Sequence, residues 1–150
     1  MNAPQAHYVT TLDGFNIAYA VSGSGTPLVI TPPALNHIQL VWEWPAHRSL
    51  LEGLTARFRL IQYDPRGQGM STRGLPPDFS PADYETDLEV LTEHLGLQSF
   101  VLVGTCAVGH AAVRYAARHP ERVRALVLVA TAVCNRSWPL DQFSALGREN

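Results

Sequence analysis

Short apolar runs alternate with longer amphipathic stretches along this chain, and their order predicts its architecture. Residues 8–11 and 15–21 are two such runs, joined through Leu12-Asp13-Gly14. Asp-Gly between them predicts a hairpin, because glycine accepts positive φ without strain. Ser22-Gly23-Ser24-Gly25-Thr26-Pro27 reads as a loop. Leu28-Val29-Ile30 is a continuous apolar run, the mark of a strand buried on both faces. Pro32-Pro33 ends it, since proline supplies no ladder donor. Residues 58–63, 100–103 and 123–130 read as three further strands.

Helical patterns fill the gaps. A helix is expected from about Ala46. Ser80-Pro81-Ala82-Asp83 predicts another start: Ser80 can cap, Pro81 suits the first turn, and Asp83 faces the positive end of the helix dipole. Tyr84, Leu88, Leu91 and Leu95 follow at helical spacing, and Gly96 ends the helix. Residues 107–118 form an alanine-rich helix stopped by Pro120. The tail to Asn150 shows no clear pattern. An opening hairpin, then strands alternating with helices, predicts an α/β fold: a mostly parallel sheet with helices on both faces. Reactive residues in such sheets lie in loops at the carboxyl ends of the strands. Three unusual loops fall there: Pro32-Pro33-Ala34, residues 64–71, and the corner at Cys106.

Composition narrows the function classes. The 150 residues are 46% hydrophobic and 16% charged, as expected of one globular domain. A net charge of −2 and the lack of a basic patch argue against nucleic acid or an anionic membrane as partner. No run approaches the roughly 18 apolar residues of a membrane helix. The first residues carry neither the charged nor the apolar region of a signal peptide. Two cysteines, Cys106 and Cys134, make no disulfide framework. A cytoplasmic protein with reduced thiols is expected. With His110 the cysteines would give at most three metal ligands, so neither metal nor cofactor is expected.

The corner Gly104-Thr105-Cys106-Ala107 joins an apolar strand to a helix. A residue on such a corner is held out where the helix amides point. A thiol there can serve as a nucleophile, since helix N-termini favour thiolate. It can equally be a structural cysteine at a βα turn.

Several segments stand in one order. They are Asp13-Gly14 with Ile17-Ala18-Tyr19, and Gly25-Thr26-Pro27-Leu28-Val29. Then follow residues 63–71 (Tyr-Asp-Pro-Arg-Gly-Gln-Gly-Met-Ser), Leu102-Val103-Gly104-Thr105-Cys106, and His119-Pro120-Glu121-Arg122-Val123 leading into Leu126-Val127-Leu128. In this order and spacing the chain resembles the N-terminal half of an α/β-hydrolase over residues 8–132. Residues 133–150 would begin a lid or tail, and the C-terminal strands and cap would be absent. Trp42-Glu43-Trp44-Pro45, with His37 before it, resembles a bacterial subgroup often fused to cyclase or response-regulator domains.

The resemblance implies that Cys106 is the nucleophile, where most of the family has serine. The backbone N–H of Ala107, with that of Ala34 or of Leu35, would form the oxyanion hole. Leu35, His37 and Trp42 would lie on the substrate side. In this family residues 64–71 are mainly structural, so Arg66 is expected to pair with a carboxylate or with carbonyls beneath the site. Two departures stand out. Val108 occupies a position usually held by glycine, with Gly109 one place late, and Pro32-Pro33 replaces the usual His-Gly. The family's acid and histidine follow the nucleophile, yet none of the six histidines lies after the last readable strand. Two functions stay open. One is hydrolysis of a small ester, thioester, amide or lactone through an acyl-enzyme on Cys106, with this chain alone not turning over. The other is a degenerate hydrolase that binds or senses a ligand. Self-association through an exposed sheet edge is expected of the chain as it stands.

Overall fold

The computed structural model describes residues 3–33 and 36–131. Two antiparallel strands open the fold, β1 (His7–Thr10) and β2 (Asn16–Ser22). Four more follow: β3 (Thr26–Ile30), β4 (Phe58–Tyr63), β5 (Phe100–Thr105) and β6 (Val123–Val129). Three helices intervene: α1 (Pro45–Thr55), α2 (Asp83–His94) and α3 (Gly109–Arg118). Short 3-10 turns at Leu40–Trp42 and Cys106–Val108 precede α1 and α3.

The strands form one sheet in the order β1-β2-β4-β3-β5-β6. β4, β3, β5 and β6 are parallel neighbours, as the apolar runs predict. The hairpin joins them antiparallel through Tyr19 opposite Tyr63. Strand β3 begins two residues earlier than the apolar run implies. Pro27 is tolerated there because pairing with β5 starts only at Leu28, leaving Pro27 opposite Arg59 of β4 alone.

Successive strand residues face opposite sides, so each strand feeds two cores. Leu28 and Leu60 pack with Trp42 and Leu51 on the α1 side. Val29, Ile61 and Leu102 pack with Leu88, Leu91, Ala112 and Tyr115 on the α2 and α3 side. Helices therefore cover both faces. Burying a side chain such as Leu91 completely contributes about 2 kcal/mol.

The expected start of α2 differs in detail. The cap position is Ala82, with no side-chain cap. Residues 80–83 first close a turn of their own, the Asp83 N–H donating to the Ser80 carbonyl at 3.0 Å. The Asp83 carboxylate then reaches back to accept from the Ser80 N–H at 2.6 Å. The amphipathic spacing is as expected, with Leu88 and Leu91 fully buried.

Candidate active site

β5 delivers Cys106 to the carboxyl end of the sheet. Thr105 is still extended (φ −121, ψ 138), and Cys106 then takes a left-handed backbone at φ +46. A non-glycine residue rarely adopts this conformation, which costs about 1–2 kcal/mol. The corner is held by what flanks it. The Thr105 N–H donates to Thr31 Oγ1 at 3.0 Å, and the Thr105 hydroxyl donates to the Thr31 carbonyl. These bonds tie the end of β5 to the end of β3, and Thr31 is fully buried. The Cys106 thiol is exposed. The corner thus presents Cys106 to solvent from a left-handed turn held by the β3–β5 pair.

Residues 106–108 make a 3-10 turn before α3 proper, so the α-helix starts at Gly109 rather than at Ala107. The tight approach to the end of β6 falls at Gly109, where a Cβ would come 2.1 Å from Thr131 Oγ1. Val108 is buried. The glycine one place late thus serves the close helix–strand contact.

Ala107 sits in that turn, its carbonyl 2.5 Å from His110 Nδ1. Ala34 and Leu35 lie outside the described residues. His37 has Nδ1 facing the amides of Gln39 and Leu40, at 3.3 and 3.4 Å, and so caps the first 3-10 turn. Trp42 is 1% exposed. Its indole N–H donates to Gln62 Oε1 at 3.1 Å, and its ring belongs to the core under α1. Cys134 also falls outside the described residues.

The loop after β4 is a structural support, as the resemblance implies. Asp64 is fully buried. Its carboxylate accepts from Asn36 Nδ2 at 2.8 Å, from the Ile38 N–H at 3.1 Å and from the Met70 N–H at 2.9 Å. It therefore joins the loops after β3 and β4. Gly69, at φ +47, is required here, because a Cβ would lie 2.1 Å from Asp64 Oδ2. Arg66 is 1% exposed and does find its carboxylate. Asp87 of α2 accepts from Arg66 Nε at 2.8 Å and from the Arg66 N–H at 2.9 Å. Asp13 accepts from Arg66 Nη1 at 2.6 Å, and the guanidinium lies 4.5 Å from the centre of the Phe15 ring. Burial pushes the Asp87 carboxyl up to about 6, against the pull of Arg66. The Arg66 bond holds the Asp13 carboxyl below its ordinary value.

Sequence reasoning missed Thr31, Asn36 and Asp87. Asp87 had a signal, an acid at a buried position of an amphipathic helix. Thr31 and Asn36 had none, because their roles depend on which strands become neighbours.

Among the described residues, no group of three or more His, Cys, Asp or Glu is placed to hold a metal. No helix among them is long and apolar enough to cross a membrane.

Comparison with known proteins agrees with this geometry. The family described as alpha/beta hydrolase fold matches residues 27–149. The chain belongs to the α/β-hydrolase fold family. A RutD protein of Caulobacter segnis, provisionally named a carbamate hydrolase, is 34% identical over 123 residues, covering 79% of this chain and 43% of its own. A hydrolase from Pseudomonas aeruginosa superposes with a TM-score of 0.76 at 26% identity, over 97% of this chain and 52% of that one. The esterase RhEst1 from Rhodococcus does so at 0.72 and 28% identity, over 84% and 46%. The chain spans less than half the length of the Caulobacter relatives named RutD.

Proposed function

We propose that this chain carries the nucleophile of an α/β-hydrolase acting on a small ester, thioester, amide or lactone through an acyl-enzyme on Cys106. The observation that carries this reading is the exposed thiol on a left-handed corner between a parallel strand and a helix. The provisional name of the Caulobacter relatives adds carbamates, which present the same planar acyl carbon. The thiolate would attack that carbon, forming a C–S bond as the carbonyl π electrons move onto oxygen. Amides of Ala107 and Ala34 would hold that charge. One such donor typically contributes about 3 kcal/mol to the transition state. Collapse would re-form the carbonyl and expel the alkoxide, thiolate or amine with a proton. Water would then cleave the thioester, which needs a base.

Each of the six histidines has contacts of its own, none of them with Cys106, which supports acylation without turnover by this chain alone. His94 bonds the Tyr19 hydroxyl at 3.1 Å, and His7 packs on the same ring. His47 packs on Trp44, and His119 on Tyr115. His37 caps its turn. His110 sits between the carbonyls of Ala107 and Pro81. A p-nitrophenyl ester tests the reading: one equivalent of nitrophenolate per chain, absent in Cys106→Ala, is expected. A stoichiometric burst that survives Cys106→Ala would assign the chemistry to another residue. No burst with an unlabelled, alkylatable Cys106 would favour the ligand-binding reading.

A further inference from the structure

A cleft of about 300 Å3 lies between the loops that follow β3 and β4. Its described walls are Asn36, His37, Gly67, Gln68, Gly69 and Arg73. The hydrogen bonds around it decide which polar atoms remain for a ligand. The Asn36 N–H donates to Gln68 Oε1 at 3.0 Å, so the Gln68 amide is oriented with its NH2 as the uncommitted end. His37 Nδ1 faces two backbone N–H groups, which puts the ring proton on Nε2. Arg73 donates from Nη2 to the Gly69 carbonyl at 3.1 Å, a neutral acceptor, and its side chain is exposed. Asn36 commits its own side-chain donor to Asp64 and to the Tyr63 carbonyl. The side-chain groups that remain are a guanidinium, an amide NH2, an imidazole N–H and the Asn36 carbonyl oxygen. Three of the four are donors, and one of these carries a full positive charge.

No described wall residue is an acid. Asp64, bonded to Asn36 and packed against Gly69, is not among the described wall residues and is already met by three N–H donors. The other cleft of similar size makes the contrast. It is lined by Asp13, Asp78 and Asp83, and its Arg66 is already neutralised by Asp13 and Asp87.

We propose that the Asn36–Arg73 cleft binds a small molecule through an anionic oxygen group, a carboxylate or a phosphate. Arg73 would supply the charge and a planar fork suited to either group. Gln68 and His37 would supply the neutral donors. The Asp64 charge, next to the wall residues Asn36 and Gly69, opposes tight binding, so affinity should be modest and lost when the donor balance changes. The inference does not depend on the chemistry of Cys106.

The test is titration of the 15N-labelled 150-residue chain, at neutral pH and constant ionic strength, with inorganic phosphate and separately with succinate. The signals read are the Gln68 side-chain amide, the His37 imidazole and Arg73 Nε. Saturable shifts in all three are expected for at least one anion. Saturation by phosphate alone identifies a phosphate-bearing ligand, and by succinate alone a carboxylate. Gln68→Glu keeps the acceptor for the Asn36 N–H but replaces the NH2 with a negative oxygen, and should weaken binding at least tenfold. Arg73→Gln, at an exposed position, should do the same, while Arg57→Gln should not. Linear, unsaturable shifts with both anions into the tens of millimolar would overturn the proposal. So would parental affinity in both Gln68→Glu and Arg73→Gln.

Discussion

At Cys106 a left-handed backbone is imposed on a residue with a Cβ, and the corner around it absorbs the cost. Glycine there removes the steric penalty of about 1–2 kcal/mol but loosens the unfolded chain by roughly 0.5–1 kcal/mol. Cys106→Gly should therefore match or slightly exceed the parent in urea unfolding, while Cys106→Ala keeps the strain. Reactivity should follow exposure and position: iodoacetamide at neutral pH should label Cys106 before Cys134, read by peptide mapping. Faster labelling of Cys134 would remove the reason for placing the nucleophile at 106. Gly109→Ala is the opposite case. Its Cβ would sit 2.1 Å from Thr131 Oγ1, and the overlap should cost about 1–3 kcal/mol in the same urea assay.

One buried guanidinium connects α2, the loop after β4 and the hairpin. Arg66 meets Asp87 at 2.8 Å and Asp13 at 2.6 Å, with Asp87 fully buried. Removing the cation strands a buried carboxylate, so Arg66→Met should cost about 3–5 kcal/mol in denaturant unfolding. The pH dependence has a defined sign. The Asp87 carboxyl is raised from 3.8 to about 6 in the folded chain, so folding favours its protonated form. Its contribution to stability is complete below the unfolded value and is lost as pH rises through about 6. Asp13 acts oppositely and more weakly, since its side chain is 49% exposed and its carboxyl is lowered. Its contribution is present above 3.8 and lost as the pH falls. Urea midpoints across this range should decline less steeply toward neutral pH in Asp87→Asn than in the parent. An identical slope would show that Asp87 ionises without penalty.

Across the whole molecule the sheet is covered unevenly. Among the described residues β6 forms one edge, and Leu126, Val127, Leu128 and Val129 are 37–51% exposed there. An apolar edge strand with unpaired backbone groups is a template for another chain. The 150-residue chain should therefore show concentration-dependent size in sedimentation and brighten an apolar dye. Val127→Lys with Val129→Lys, two charges on one face of the strand, should reduce both signals. A parent chain that sediments as a monomer at all concentrations would show that the edge is protected.

Four parallel strands, the opening hairpin and the helices between them were legible because unbroken apolar runs mark strands, Asp-Gly marks the turn and helical spacing marks the helices. The Gly-Thr-Cys-Ala corner was legible because a strand pattern meets a helix pattern there across three residues. What the sequence could not state was which loops become neighbours. Asp87 beneath Arg66, Thr31 beside Thr105, and Asn36 between Asp64 and Gln68 are pairings 21, 74 and 28 or 32 residues apart. No local periodicity encodes such contacts; strand order brings them together. Trp42 shows the same limit. Its position beside a functional loop suggested a substrate contact, whereas the path of residues 36–45 turns its ring into the core. Local pattern thus determined the elements and the corner at Cys106, and the order β4-β3-β5 decided which side chains surround it.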